Sequence, residues 1–132
     1  MKNYELKMLD EDDHIFVKTL SNLGVPRSVA TTIAYLINVD EASSQKIEIS
    51  TGLKQPEVSL AIRFMSKQSW INVRTEKKPG KGRPMKVYSL MVQLDEIISY
   101  YEDKIYKESQ ATISAIQKLK MVSKNMSIIL SS

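Results

Sequence analysis

The sequence contains no cysteine, a single histidine, four glycines and four prolines. Without cysteine there is no disulfide framework and no thiolate zinc site, and the composition is compatible with a reducing compartment. His14 lies among Asp10, Glu11, Asp12 and Asp13 and has no second histidine with which to build a metal cluster; it is expected to be a surface side chain. No apolar run approaches the roughly 18 residues that a membrane span requires. The opening segment MKNYELKMLDEDD also lacks the apolar region of a secretory leader. A soluble, cytoplasmic protein with no membrane partner is therefore expected. The phosphate cradle GxxxxGK[ST] is missing too, because Gly80-Lys81-Gly82 is too short and precedes a strand-like segment. Paired carboxylates such as Asp12/Asp13 and Glu102/Asp103 fall on polar helix faces, where charge is ordinarily solvated. Nothing catalytic, cofactor-binding or metal-binding remains, and the expectation is that the protein is not an enzyme.

What is present is an ordinary globular composition, 42% hydrophobic and 26% charged in 132 residues, enough for about one domain. The formal charge of +4 is unevenly placed. Residues 1–40 hold four basic and six acidic residues, residues 41–90 hold ten and four, and residues 91–132 hold five of each. The whole excess lies in the middle third, which suggests a polyanionic partner for that segment. No long internal repeat or low-complexity tract is visible.

Glycine and proline punctuate the chain where element boundaries are expected. Acidic residues 10–13 open an amphipathic run with Ile15, Phe16, Leu20 and Leu23 on one side, closed by Gly24, predicting a helix over about 11–23. Pro26 suits the first turn of a second helix with Val29, Ile33, Leu36 and Ile37 spaced for burial, ending near Asn38–Val39. After the loop DEASS, Ser43 or Ser44 caps a short third helix containing Ile47, and Gly52 supplies a tight turn. Gln55-Pro56 opens a fourth helix. Val58, Ala61, Ile62 and Met65 form its buried face, and Pro56, Ser59, Leu60, Arg63 and Lys67 lie opposite. WINVRT and MKVYSL then read as two strands of a β-hairpin around EKKPGKGRP, packed through Ile71, Val73, Val87 or Tyr88, and Leu90. Trp70 at the junction is expected to anchor the core.

From Met91 to Lys124 there is neither proline nor glycine, and apolar residues recur at Leu94, Ile98, Tyr101, Ile105, Thr112, Ile116 and Leu119, with the pattern interrupted around Glu108–Ser109. As one helix this segment reaches about 50 Å, whereas a compact chain of this length has a radius of gyration of about 14 Å. Its stripe must therefore pack on another chain or fold back on itself near Ser109. A homodimer formed through these residues is the favoured expectation, and a two-helix fold-back is the alternative.

The combination of short helix, Gly52 turn, longer helix with a basic outer face, and basic hairpin is a helix-turn-helix followed by a wing. Its second helix has the dimensions to enter a DNA major groove, and a cationic hairpin tracks phosphates or a narrow minor groove beside it. The stretch SSQKIEISTGLKQPEVSLAIRFMSKQSWINVRTEKKPGKGRPMKVYSL, preceded by LGVPRSVATTIAYLI, resembles the winged helix-turn-helix domain of MarR and TrmB regulators, most closely the TrmB-like kind, over residues 23–90. That resemblance implies recognition-helix roles for Gln55, Ser59 and Arg63 and wing roles for Lys81, Arg83 and Lys86. Two features depart from the family: Glu48 stands where a small residue is common, and no effector domain follows the long helix in this sequence, so sugar sensing is not carried over.

The expected fold is mainly α with a small β-hairpin (α+β). It comprises an N-terminal helix in residues 1–23 that assists the dimer contact, a winged helix-turn-helix domain in 24–90, and a long dimerisation helix in 91–132. Candidate DNA contacts are Lys54, Gln55, Ser59, Arg63, Lys67, Arg74, Lys77, Lys78, Lys81, Arg83 and Lys86. Arg63 reaches a guanine edge or lies in solvent, Gln55 caps its helix or reaches a base or phosphate, and Glu57 forms a local salt bridge or accepts from a cytosine amine. Lys77, Lys78 and Lys81 suit phosphate attraction, and Arg83 is the wing residue suited to minor-groove insertion. The leading expectation is a homodimeric regulator of transcription that binds double-stranded DNA. Its rivals are a protein-interaction module within a transcription or chromosome-associated assembly, and an RNA-binding winged helix. The sequence names no small-molecule effector.

Overall fold

The computed structural model describes residues 9–77 and 82–131, with side chains in the last helix described through Met126. Two compact units divide the chain after Leu94. In the described part of the first, the elements run α1 (Glu11–Asn22), α2 (Arg27–Asn38), β1 (Ala42–Ser43), α3 (Ser44–Thr51), α4 (Gln55–Lys67), β2 (Ile71–Glu76) and β3 (Met85–Leu90). The second unit holds α5 (Leu94–Ser131) from Asp95 onward.

The start of α1 is fixed by reciprocal caps: the Asp13 N–H donates to Asp10 Oδ1 at 2.9 Å, and the Asp10 N–H donates to Asp13 Oδ2 at 3.0 Å. The Asn38 amide also donates to Asp13 Oδ1 at 2.9 Å, tying the first turn of α1 to the last of α2. That rotation buries Val17 and Leu20 and leaves Ile15 58% and Leu23 50% exposed, so the apolar side of α1 is narrower than the sequence stripe implied. α1 packs chiefly on α2, and one neighbour hides one narrow strip. In α2, by contrast, every residue from Ser28 to Leu36 is buried, which makes it the central helix of the core.

The segment read as the loop DEASS contains a strand. Ala42 and Ser43 pair antiparallel with Tyr88 and Val87, giving a three-stranded sheet in the order β1-β3-β2. Two residues are too few for strand periodicity to show, and the pairing is fixed by β3 instead. Ser43 also caps α3, accepting from the Lys46 N–H at 3.2 Å.

The hairpin register runs from Ile71 opposite Leu90 to Glu76 opposite Met85. Ile71, Val87 and Tyr88 are buried, but Val73 is 44% exposed because β2 is an edge strand that leaves the core after its first residue. Trp70 is 3% exposed and meets Phe64 edge-on at 5.7 Å, the core anchor expected of it. These elements compose a winged helix: a helix-turn-helix of α3 and α4 followed by the β2-β3 wing.

Candidate nucleic-acid interface

The geometry of α4 is set at both ends. Before it, Gly52 takes φ +79° and donates to Glu48 O at 2.8 Å, a left-handed closure of α3 that strains any residue with a β-carbon. Thr51 reinforces the turn, its hydroxyl donating to Ile47 O at 2.6 Å and accepting from the Leu53 N–H at 3.2 Å. The Glu57 carboxylate accepts from the Lys54 N–H at 2.9 Å, closing the amino end of α4. After it, Trp70 N donates to Met65 O at 2.9 Å and Ser69 N to Ser66 O at 3.0 Å. This is a Schellman closure with Ser69, rather than glycine, in the left-handed position at φ +61°. The Phe64–Trp70 contact supplies the hydrophobic clasp of that motif.

Between these ends Val58, Ala61 and Met65 are buried and Ile62 half-buried, as the helical spacing predicted. Burying Val58 and Met65 contributes about 1.5–3 kcal/mol each, which fixes the rotation of α4 and so the face it shows to solvent. That face carries exposed Lys54, Gln55, Arg63 and Lys67, with Ser59 half-buried among them. Gln55 Nε2 donates to Ser59 Oγ at 2.8 Å, so the two residues offer a joined polar surface rather than two independent groups. Glu57, the one acidic residue of α4, accepts from the backbone N–H of Lys54 and makes no salt bridge among the described residues. Leu60 is 48% exposed at the centre of this face, as its spacing predicts.

The wing differs from expectation in one respect. Arg74 is held by two carboxylates: its Nε donates to Glu41 Oε2 at 2.8 Å, one Nη donates to Glu41 Oε1, and the same Nη donates to Glu76 Oε2 at 2.8 Å. The guanidinium hydrogen bond holds the Glu41 carboxyl below its usual range, despite a slight opposing effect of burial. The same two carboxylates raise the affinity of Arg74 for its proton. Arg74 thus braces β2 against the α2–β1 connection, with its charge compensated by two carboxylates. Glu41 was missed because nothing in a linear pattern pairs it with a residue 33 positions away. Lys77, Arg83 and Lys86 are exposed, with no carboxylate partner among the described residues. Lys78 and Lys81 lie outside the described residues.

In the second unit, α5 is one continuous helix of 38 residues, about 57 Å long, with no break at Glu108–Ser109. Thr112 Oγ1 donates to Glu108 O at 2.9 Å across the point where the apolar pattern falters. At 100° per residue the positions of Leu94, Ile98, Tyr101, Ile105, Thr112, Ile116 and Leu119 fall within an arc of about 60°. Ile98, Ile116 and Leu119 are 47%, 47% and 67% exposed, Thr112 is exposed, and Leu94 and Ile105 are half-buried. Tyr101 departs from the set: at 5% exposure it has little area left for a partner. Burial pushes its phenol up to about 12, with Tyr100, edge-on at 5.0 Å, adding to the effect.

Among the described residues no group of three histidine, cysteine, aspartate or glutamate side chains is placed to hold a metal, and no helix is long and apolar enough to cross a membrane. No protein-family model matches the sequence, and no curated protein matches it. Several solved structures align with it, two of them structures of Pex. Pex from Synechococcus sp. (strain PCC 7942) is 13% identical over 78% of this chain and 88% of its own, with a TM-score of 0.41. The circadian clock associated protein Pex from Anabaena is 18% identical over 81% and 90%, with a TM-score of 0.35. Likenesses at this level identify neither a relative nor a function, and the assignment of a winged helix rests on the order and pairing of elements described above.

Proposed function

We propose that this protein is a non-enzymatic, double-stranded-DNA-binding regulator of transcription, acting as a cytoplasmic homodimer of the MarR/TrmB-like kind. The observation that carries the reading is the solvent face of α4. It presents Lys54, Arg63, Lys67 and the Gln55–Ser59 pair, and its only acid, Glu57, is engaged with the backbone. In this reading α4 lies in the major groove, with Arg63 directed to a guanine edge and Leu60 to a thymine methyl. Lys77, Arg83 and Lys86 contact the backbone or minor groove from the wing, together with Lys78 and Lys81.

Dimerisation is assigned to α5 through Leu94, Ile98, Ile105, Thr112, Ile116 and Leu119. A 38-residue helix with exposed isoleucine and leucine along one narrow arc leaves apolar area in water unless a second helix covers it. Two recognition helices related by a dyad then read half-sites about 34 Å apart.

Selection of bound duplexes from random or genomic fragments tests the reading. The expected result is an enriched, dyad-symmetric site, with binding abolished by Arg63→Ala plus Arg83→Ala. With roughly 6–10 phosphates neutralised, affinity falls about 10³–10⁵-fold between 50 and 200 mM salt. No enrichment together with a flat salt response overturns it and favours the protein-interaction module. Tighter binding to structured RNA than to any duplex favours the RNA-binding alternative.

A further inference from the structure

The charge of α5 is divided along its length. Asp95, Glu96, Glu102, Asp103 and Glu108 stand in its first part with Lys104 and Lys107, whereas Lys118, Lys120 and Lys124 follow in a stretch, residues 109–132, that contains no acid. Two of the acids are engaged within the helix: Lys107 Nζ lies 3.2 Å from Asp103 Oδ2, and Lys104 Nζ lies 3.8 Å from Glu108 Oε2, each one turn away. Asp95, Glu96 and Glu102 remain towards the amino end and Lys118, Lys120 and Lys124 towards the carboxyl end, all exposed and without an ion-pair partner among the described residues. From Tyr106 to Met126 every residue is exposed, Ile116 and Leu119 of the apolar arc included.

Rotation about the helix axis sorts the same charges. At 100° per residue Asp95, Glu102, Lys120 and Lys124 fall within about 40° of one another, on one flank of the arc that holds Leu94, Ile98, Ile105, Thr112, Ile116 and Leu119. That flank is acidic in its first half and basic in its second. The other flank carries Lys104, Ala111, Ala115 and Val122 and no acid. Charges flanking an apolar seam set the orientation of paired helices. Two antiparallel copies related by a dyad place this flank beside itself in reversed order, so the acidic half of each copy meets the basic half of the other. A parallel pair places unlike flanks together at equal heights: Lys120 and Lys124 then face the partner's Val122 instead of a carboxylate, and lysine crowds lysine at one end while acid crowds acid at the other.

We propose that the occupant of the exposed α5 seam is a second copy of the same helix in antiparallel orientation, with Glu102 beside the partner's Lys120 on both sides of the dyad. This orientation rests on the dimer interface assigned to α5 above. Positions 102 and 120 are equidistant from Ala111, so the dyad crosses α5 near that residue. Ile105 then meets the partner's Ile116, and the polar interruption around Glu108–Ser109 falls at the centre of the pair. At 1.5 Å per residue the two Leu94 positions stand about 50 Å apart along the rod. The winged-helix units accordingly depart from opposite ends of it, whereas in a parallel pair both depart from the same end.

The chain has no cysteine, so a single introduced cysteine carries a single spin label. Asn125→Cys and Gln110→Cys place the label on the side of α5 away from the seam, and pulsed dipolar electron spin resonance on the full chain reads the distance between the two copies. The expected distances are under about 30 Å for Gln110→Cys, given helix axes 8–10 Å apart, and over about 40 Å for Asn125→Cys, given the rise of the helix on either side of the dyad. Short distances at both sites overturn the orientation and leave the dimer standing. A chain that sediments as a monomer at the same concentration overturns the interface and the orientation together, and leaves the seam to a different protein. A second measurement is the dimer dissociation constant at low salt. Glu102→Lys alone and Lys120→Glu alone are each expected to raise it about fivefold, and the two substitutions in one chain to return it to the wild-type value. Single variants without effect, or a double variant at least as weak as either single one, overturn the Glu102–Lys120 pairing. Both measurements are made without DNA, so their failure is distinct from failure of the DNA-binding reading.

Discussion

Arg74 and Arg83 belong to the same hairpin, carry the same charge and are both exposed, yet they stand in different surroundings. Arg74 is neutralised by Glu41 and Glu76, while Arg83 has no such partner among the described residues. If each protomer of a dimer places one Arg83 on a phosphate, replacing it with glutamine removes two contacts. At about 0.9 of slope per contact in a plot of log affinity against log salt, the slope falls by about 1.8 units. Across the fourfold change from 50 to 200 mM salt, that makes the variant's affinity loss about twelvefold smaller than that of the wild type. Arg74→Gln removes a charge already compensated by two carboxylates and is expected to leave the slope unchanged. Its effect should fall on the bracing of β2, seen as a modest loss of stability, because exposed ion pairs of this kind are individually weak. The assay is fluorescence anisotropy of a labelled duplex at five or six salt concentrations for wild type, Arg74→Gln and Arg83→Gln. Equal flattening of the slope by the two substitutions refutes the reasoning, because it means that the Glu41–Arg74–Glu76 cluster opens to release Arg74 to DNA.

Four further outcomes follow from the same geometry. Trp70→Ala should cost about 3–5 kcal/mol in chemical denaturation, as for other buried large aromatics; a cost below about 1 kcal/mol removes Trp70 from the core. Ser69→Gly should stabilise by about 0.5–1 kcal/mol, because left-handed strain is relieved while the unfolded chain gains freedom, and destabilisation in the same measurement counts against the Schellman closure. Ile116→Lys plus Leu119→Lys should convert a dimer to a monomer in sedimentation and weaken operator binding, whereas a variant that remains dimeric excludes this arc of α5 as the interface. The Glu41 carboxyl titrates below its ordinary value of 4.5, so the native state resists protonating it. The stability it contributes is complete above that value and is lost as pH falls through the lower native value; a stability difference between wild type and Glu41→Gln that grows on acidification contradicts that sign.

The helices and the hairpin were legible because their signals are local. Val58, Ala61 and Met65 repeat at helical spacing, Gly52 and Pro56 mark a turn and a first turn, and the flanks of the wing carry β-branched and aromatic residues. What escaped reading depends on residues far apart in sequence. β1 is two residues long and exists because β3 offers it an open edge. Arg74 looked like a wing cation because its partner Glu41 lies across the sheet-forming connection. The rotation of α1 is set by Asn38 reaching Asp13, which a stripe of apolar residues does not encode. Ser69 shows the same limit at shorter range: a left-handed residue was required after α4, and with no glycine there the boundary gave no sign of its closure.

The misread residues also clarify how the candidate interface is organised. Three of the four acidic residues of segment 41–90 are engaged: Glu57 with the backbone at the start of α4, and Glu41 and Glu76 with Arg74 at the base of the wing. An uncommitted carboxylate at any of these places would repel a phosphate at close range. Held as they are, the carboxylates stiffen the scaffold, and Glu41 is kept ionised by Arg74 rather than left to oppose a ligand. Arg63, Lys67, Lys77, Arg83 and Lys86 stand without a carboxylate partner among the described residues, in a segment, residues 41–90, whose formal charge is +6. Exchanging Glu57 for glutamine should accordingly alter stability at the start of α4 more than duplex affinity at 150 mM salt. A gain in affinity larger than about tenfold would mean that the Glu57 carboxylate faces the DNA and that its bond to Lys54 N does not hold it.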